Sequence, residues 1–511
     1  MTTDALPLTA AELLEGSFCT LPDLIAAHAR TQPDTPALVG EDRTLDYARL
    51  DKAMGRIAAT LQSQGVAKGT PVAMVGINSA ALATLFLGAL RAGCVPTPLA
   101  PSSTPDQIAA MVADCGSPML FADEASLEAL TNIELPAPLL ALSDLDRWAS
   151  ATTPPAPVEI TPDDPFNIIY SSGTTGTPKG IVQPHAMRWA QLSRSKFTGA
   201  VTMIATPLYS NTTLVSFLPT LAWGGTAVLM KKFDARRFLE LAEANRATHA
   251  MLVPVQYARI MALPDFDDFD LSRFQLKTCT SAPFSAALKA DVVARWPGLL
   301  VEYYGMTEGG GTTLLVCNQF PDKLGTVGTP IEGHDIRLID DDGREVAAGE
   351  VGEVVGRSPA MMSGYHGRRE ASSAAEWFDA EGNRFIRHGD IGRFDADGFL
   401  TLLDRKKDLI ISGGFNVYPS DLEAILATHP DVADCTVVGM PSEAWGETPM
   451  GFYVARPDAE DDAAAILGWF NDRVGKTQRL SDLKRLDELP RSAIGKVLKR
   501  ELRDRFQGAT A

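Results

Sequence analysis

The sequence is poor in the features that would staple it, anchor it or send it to a polyanion. Its six cysteines (Cys19, Cys94, Cys115, Cys279, Cys317 and Cys435) are scattered through 511 residues without a Cys-x-x-Cys pair. That excludes a disulfide framework and a cysteine zinc pattern, and reduced thiols fit a cytoplasmic setting. Long hydrophobic runs are also missing. The most apolar stretch, ALATLFLGALRAG at 81–93, is interrupted by Gly88 and Arg91. It falls short of the roughly 20 residues that span a bilayer, so it reads as a buried helix. The opening MTTDALPLTAAELLEG has no basic region followed by an apolar core, and a secretory signal is not expected. Cations are in deficit: 46 Lys and Arg stand against 64 Asp and Glu, a formal net charge of -18. Such a chain is a poor general binder of nucleic acid or anionic membrane, and the surplus serves solubility. It does not exclude a local cluster of amides and lysines that binds an anion. Internal repeats and low-complexity tracts are absent as well.

What is present is an ordinary globular mixture, 45% apolar and 22% charged, long enough for several domain-sized units. Apolar runs such as PVAMVGI (71–77), TAVLM (226–230) and HAMLVPV (249–255) alternate with helical patterns such as YARLDKAMGRIAATLQSQG (47–65) and ARRFLELAEANR (235–246). That alternation predicts an α/β fold with largely parallel sheets flanked by helices. A Pro- and Thr-rich connector fills 151–165. Between 327 and 358 the pattern changes to short strands with Asp-Gly turns, an antiparallel signature. From about Lys407 a last α+β unit of about 100 residues follows. Strands are expected at DLIISGG and CTVVGM, and helices at SDLEAILATHP, near AAAILGWFNDRVG and in LPRSAIGKVLKRELRDRF.

Residues 168–182 read IIYSSGTTGTPKGIV. A strand runs into Ser171, Ser172, Gly173, Thr174, Thr175, Gly176, Thr177, Pro178, Lys179 and Gly180. Glycines allow close approach, hydroxyls and loop amides donate hydrogen bonds, and Lys179 supplies charge, which together suit a phosphate chain. It is not a Walker A loop. Lys179 follows a proline, and Gly180 stands where a Ser or Thr would hold magnesium.

This loop resembles the signature loop of the adenylate-forming superfamily, which comprises acyl-CoA synthetases, peptide-synthetase adenylation domains and luciferases. The resemblance extends in register along the chain. GALRAG (88–93), TPLYSNTTL (206–214), CTSAPFS (279–285), EYYGMTE (302–308), VGTP (327–330), HGDIGRFDADGFL (388–400), DRKKDLIISGGFNVYP (404–419) and LPRSAIGKVLKREL (489–502) all have counterparts in the family's order. It implies a large N-terminal domain, 1–406, of helix-flanked sheets plus a small β-barrel, and a mobile C-terminal lid, 407–511. Singly, several of these residues would be unremarked. Asp390 in Gly-Asp-Ile-Gly reads as a turn residue, Glu308 before three glycines as a loop acid, and Lys496 among Lys and Arg as a solvated charge. Only their joint register assigns them chemistry.

By resemblance, ATP with Mg2+ activates a carboxylic acid to an acyl-AMP, which is passed to coenzyme A. The loop from Ser171 to Gly180, including Thr175 as a catalytic contact, holds the β- and γ-phosphates. Glu308 is the implied magnesium ligand and Thr307 a phosphate contact. Tyr304, with Tyr303 and Gly305 in the same motif, stacks on adenine, and Ser281, Ala282 and Pro283 line it. Asp390 accepts from the ribose hydroxyls, with Arg405 beside it. Lys496 bridges the acid and the α-phosphate. A carboxylate resists attack, and joining two anions needs cations and preorganised donors, so the chemistry accounts for these residue types.

The thiol step in this family follows a rotation of the lid, and Lys407 matches the hinge. Gly413 and Gly414 would line the pantetheine path, where a thin arm passes close to backbone. Trp445 would pack on the adenine of coenzyme A, its alternative being a core residue, and Arg479 would meet the phosphates. Tyr209, Asn211, Thr212, Val253 and Pro254 are the acid-pocket candidates, a mixture that suits a largely apolar acid with one or two polar anchors. Ser210 stands where many relatives have histidine. Serine is smaller and cannot titrate, so a roomier or differently packed pocket is expected. SNTTLVSFLPTLAWGG lacks the acidic residue that would pair an amino acid's ammonium. The alternative to a CoA ligase is a stand-alone adenylation enzyme that loads a separate carrier protein, since no carrier segment is read before Ala511. The expected partners are thus small molecules, with no nucleic acid and no membrane span. A homo-oligomer stays open.

Overall fold

A computed structural model describes residues 7–171, 179–413, 415–457, 459, 462–492 and 495–506. The chain packs as two compact units. The first holds residues 1–324, 330–335 and 356–386, and the second holds 325–329, 336–355 and 387–511. The expected division at 406/407 concerns which part moves rather than which part packs, and it stays a proposal.

In the first unit the alternation read from the sequence becomes two parallel sheets. Among the described residues the larger runs, in spatial order, through Thr313–Val316, Leu299–Tyr304, Leu276–Cys279, His249–Leu252, Val201–Ile204, Thr226–Leu229, Pro36–Val39 and Thr44–Asp46. Its inner pairings are parallel, and the strands Thr313–Val316 and Thr44–Asp46 are antiparallel to their neighbours. The smaller sheet is parallel in the order Val95–Leu99, Pro71–Val75, Leu120–Ala122, Leu139–Ala141. Both faces of such sheets are covered, which is why their strands read as continuous apolar runs. The stretch too short to span a bilayer is the helix Ala80–Arg91, started by the Ser79 side chain and buried from Ala80 to Leu90. It packs on the helix Tyr47–Ser63, capped by Asp46. Among the described residues no helix is long and apolar enough to cross a membrane.

One apolar run divides differently from its appearance. HAMLVPV forms a strand only to Leu252, and Pro254 opens the helix Pro254–Met261. Proline suits a first helical position because its missing N–H would have no partner there. The Gln256 side chain accepts from the Val253 amide at 3.0 Å and closes the turn.

The second unit contains two sheets. One sheet orders Asp335–Ile339, Gly352–Arg357, Arg384–Phe394 and Leu400–Arg405, the last two antiparallel, with the first two strands drawn from the Asp-Gly region. The other sheet orders Phe415–Val417, Ile410–Ser412, Gly446–Ala455 and Val432–Ser442, with Leu483–Arg485 parallel to Gly446–Ala455. Its core gathers Ile410, Leu422, Leu426, Val437, Tyr453, Ile466 and Phe470. The strand Gly446–Ala455 is hidden in the sequence by Pro449 and two glycines. One edge of this strand is shared: Gly446 pairs with Ser412, and Gly451 to Tyr453 pair with Leu483 to Arg485. Pro449 falls between those two pairings, where a missing N–H costs least.

Candidate active site

The signature loop is carried by a hairpin. Pro165–Ser171 and Lys179–Pro184 are antiparallel, with Ser171 opposite Lys179 and Tyr170 opposite Gly180. A Walker loop leads from a strand into a helix; this one leads from strand to strand. Ser172, Gly173, Thr174, Thr175, Gly176 and Thr177 lie outside the described residues. A side chain at Gly180 would place its first carbon 2.9 Å from Ile168 Cγ2 and 3.2 Å from the Tyr170 ring, so the two strands require glycine there. The Lys179 ammonium lies 5.2 Å from the centroid of the Tyr365 ring. The Tyr365 hydroxyl donates to Glu308 Oε1 at 2.9 Å. One tyrosine therefore offers its ring face to the loop lysine and its hydroxyl to the proposed magnesium ligand. Burial and the neighbouring Glu308 carboxylate push this phenol above its ordinary range, which keeps it a donor.

Glu308 is fixed by the turn behind it. Gly309, Gly310 and Gly311 all have φ near +80 to +96°. A Cβ on Gly309 would stand 2.0 Å from the Ala360 oxygen, and the Met362 amide donates to the Glu308 carbonyl at 2.8 Å. The run of glycines is thus needed to lay the motif against 360–362. Upstream, the strand Leu299–Tyr304 delivers Tyr303, half-buried, and Tyr304, buried; Gly305 and Thr307 follow. The Thr307 carbonyl accepts from Gln183 Nε2 at 2.7 Å.

Ser210, in the place of the expected histidine, is a helix cap. It is buried, and its oxygen accepts from the Thr212 amide at the start of Asn211–Ala222. Thr212 Oγ1 lies 2.6 Å from Ser281 Oγ. This contact ties the acid-pocket helix to the segment expected along adenine. Ser281 adopts φ +84°, unusual for a residue with a side chain, and it turns the chain toward Ala282 and the exposed Pro283. Tyr209 is half-buried, with its phenol raised by burial, and Val253 and Pro254 are buried.

The second unit carries the remaining candidates. Asp390 and Arg405 face each other across paired strands, with Arg405 Nε 2.9 Å from Asp390 Oδ1. Lys407 is exposed beside Asp408, and the partial burial of its stem pulls its ammonium below the ordinary range. Lys496 is exposed on a tight turn: its amide donates to Ser492 Oγ at 3.2 Å, and its carbonyl accepts from the Ser492 amide at 2.8 Å. Gly413 has φ +59° and donates to the Trp445 carbonyl at 2.8 Å. A Cβ there would lie 2.7 Å from the Trp445 ring, so the ring rests directly on backbone. Trp445 is not a core residue; it is 36% exposed, with the Lys476 ammonium 5.3 Å from its ring centroid. Arg479 is exposed and Gly414 lies outside the described residues.

Among the described residues no group of three or more His, Cys, Asp or Glu gathers as a metal cage. Glu308 alone fits the way magnesium is usually held beside a nucleotide, by one or two carboxylates with phosphate oxygens and water. Sequence reading missed Gln183, Arg188 and Tyr365. Arg188 is buried and donates to Asn167, Gln183 and Asn211. The signal available was an arginine and a glutamine within the apolar strand and helix that follow the loop.

The loop hairpin, the glycine-braced turn after Glu308 and the Thr212–Ser281 contact are arranged as the resemblance to the adenylate-forming superfamily leads one to expect. Residues 25–366 match the model of the AMP-binding enzyme family and residues 421–496 that of the AMP-binding enzyme C-terminal domain. The chain belongs to the AMP-binding enzyme family. It is 31% identical to a fatty acid–[acyl-carrier-protein] ligase, ScoC, of Streptomyces coeruleorubidus, over 96% of this chain and 97% of that one. It is 32% identical to a feruloyl-CoA synthase of Amycolatopsis, over 94% and 97%. Among solved structures, ATP-bound MatB from Rhodopseudomonas palustris superposes with a TM-score of 0.84 at 27% identity, covering 96% of this chain and 100% of that one.

Proposed function

We propose that the protein is an AMP-forming acid–CoA ligase. It joins a carboxylic acid to ATP, releases pyrophosphate, and transfers the acyl group from the acyl-AMP to coenzyme A. The observation that carries this reading is the 2.6 Å contact between Thr212 and Ser281. It supports the reading because a reaction between an acid and a nucleotide needs the helix that carries Asn211 and Thr212 close to the segment that carries Ser281. The acid oxygen attacks the α-phosphorus, and the bond to pyrophosphate breaks. Lys179 and the loop amides bind the outgoing phosphates. Glu308, held by Tyr365, contributes one carboxylate toward Mg2+, which neutralises phosphate charge when bound. Tyr304 and Ser281 to Pro283 orient the base, and Asp390, steadied by Arg405, accepts from the ribose. Lys496 neutralises charge where the two anions join. The domain 407–511 then turns about Lys407, and Gly413, Trp445 and Arg479 meet the thiol substrate. The setting is cytoplasmic.

The test is a pyrophosphate-exchange and thioester assay on aryl, alicyclic and alkyl acids. Thioester formation that depends on ATP, Mg2+ and CoA, with AMP as product, is expected; ADP as product would overturn the mechanism. The similarity to ScoC favours one second reading, a carrier protein as acceptor. Acylation of a holo-carrier faster than of CoA would establish it.

A further inference from the structure

The helix His185–Leu192 follows directly on the strand that begins with Lys179, and its fourth residue is Arg188. This side chain is fully enclosed; the whole residue is 2% exposed. Besides the Phe166 ring 5.8 Å from its guanidinium, its hydrogen-bond acceptors among the described residues are all side-chain amide oxygens. Nε and Nη2 donate to Asn167 Oδ1 at 3.3 and 3.2 Å, Nη2 to Asn211 Oδ1 at 2.9 Å and closely to Gln183 Oε1, and Nη1 to Gln191 Oε1 at 3.4 Å. Among the described residues no carboxylate neutralises it, so a full positive charge sits in the interior. An apolar residue on this helix would avoid that desolvation cost, and removing charge from an interior is often neutral or stabilising. The arrangement calls for a reason other than stability.

The partners supply one. Asn167 belongs to the strand that enters the signature loop, and Gln183 to the strand that leaves it. Asn211 is the first residue of the acid-pocket helix. Gln183, held by Arg188, uses its other end to donate to the Thr307 carbonyl, one residue before Glu308. One guanidinium thus joins the loop hairpin, the acid pocket and the nucleotide motif. Its planar fork can hold several acceptors in fixed directions at once, which a lysine cannot reproduce.

We propose that Arg188 is a positioning residue for acyl-AMP formation, fixing the acid-pocket helix and the Thr307–Glu308 segment against the hairpin that carries Lys179. The inference rests on the ligase reading above. Misplacing a reacting group by about 1 Å can cost about 100-fold in rate. The test is Arg188→Met in the full chain, followed by pyrophosphate exchange. A fall in kcat of about 10- to 100-fold is expected, with a raised KM for the acid and a KM for ATP changed less than about threefold. Thioester formation from supplied acyl-AMP should be spared. Arg188→Lys should recover part of the loss, and Gln183→Leu added to Arg188→Met should cost little more than Arg188→Met alone, because both cut one connection. A folded Arg188→Met enzyme with wild-type kcat and acid KM overturns the proposal. So does an equal loss in both half-reactions that tracks lost thermal stability. If Arg188→Met does not fold, Gln183→Leu decides: a similar kcat loss supports the role, and wild-type kinetics overturn it. A wild-type protein that forms no acyl-AMP from any acid defeats the ligase reading instead, whereas an active wild type with indifferent variants defeats only this one.

Discussion

The two compact units differ in where they keep part of their positive charge. The first buries some of it: Arg188, Lys277 and Lys289 are each 2% exposed or less. Lys277 donates to the carbonyls of Trp296, Pro297 and Gly298, and Lys289 pairs with Glu302 while donating to the Leu324 carbonyl at 2.8 Å. The second unit exposes several of its cations, although it buries Glu353 beside Arg387 and Lys406. Lys496, Arg479 and Lys476 are exposed, the Arg405 side chain is 45% exposed, and Trp445 and Phe415 stand out at the surface. Interior charges are held by several fixed acceptors and can orient backbone over long distances. Surface charges are open to solvent and can be offered to more than one ligand in turn. That contrast suits the proposed division of labour, in which one unit holds the nucleotide and acid while the other presents Lys496 for one half-reaction and Trp445 for the next.

The sharpest way to break the contrast is to strip one buried charge of its partner. Lys289→Met leaves the Glu302 carboxylate 4% exposed and unpaired. It should cost about 3–5 kcal/mol in a denaturant titration. Lys289→Met with Glu302→Leu should recover most of that loss, because the pair is removed together. A single variant within about 1 kcal/mol of wild type would show that burial does not constrain charge in the first unit as described.

Next comes the surface charge with the largest expected chemical effect. Lys496→Ala should leave stability almost unchanged, since the residue is exposed. Adenylation should fall about 100- to 1,000-fold, or roughly 3–4 kcal/mol of barrier, while thioester formation from supplied acyl-AMP persists. Equal loss of both half-reactions would contradict the presentation model. Trp445→Ala should give the mirror result, a smaller rise in KM for CoA with adenylation intact.

Much of this organisation was legible in residue order. Parallel strands buried on both faces announced themselves as PVAMV and TAVL, and the change of pattern after 327 marked a region of short strands. The loop motif excluded a Walker site through Pro178 and Gly180 before the hairpin explained why. What escaped was contact between segments distant in sequence. Tyr365 reaches Glu308 across 57 positions, and Gln183 reaches Thr307 across 124. No local pattern encodes such pairings. The strand Gly446–Ala455 escaped for a different reason, because Pro449 and the glycines erased its alternation while its partners on both edges supplied the stability. Ser210 was legible as a departure but not as a cap, since a cap depends on where the helix starts.

The smallest effect tests the burial of weakly basic groups in the first unit. His185 is 4% exposed and packs against Phe166, with ring centroids 5.0 Å apart. His249 is 8% exposed, packs against Phe197, and shares a 2.7 Å hydrogen bond between Nδ1 and Thr248 Oγ1. Burial pushes both imidazoles down from 6.5 to about 4. Asp164, Lys68 and Asp23 act on His185 as lesser influences, the two aspartates upward and the lysine downward. Between pH 6.5 and 4 the unfolded chain therefore binds more protons than the folded one. Stability is complete above about pH 6.5 and falls as the pH drops toward 4, by roughly 2–3 kcal/mol for each histidine. His185→Phe should flatten that fall by the share of one proton, with stability near neutral pH changed far less. Unfolding free energies measured at several pH values from 4 to 7 check it. If the variant and wild type keep parallel pH profiles, His185 is reachable by protons in the folded state, and the first unit is looser around the loop hairpin than its buried charges imply.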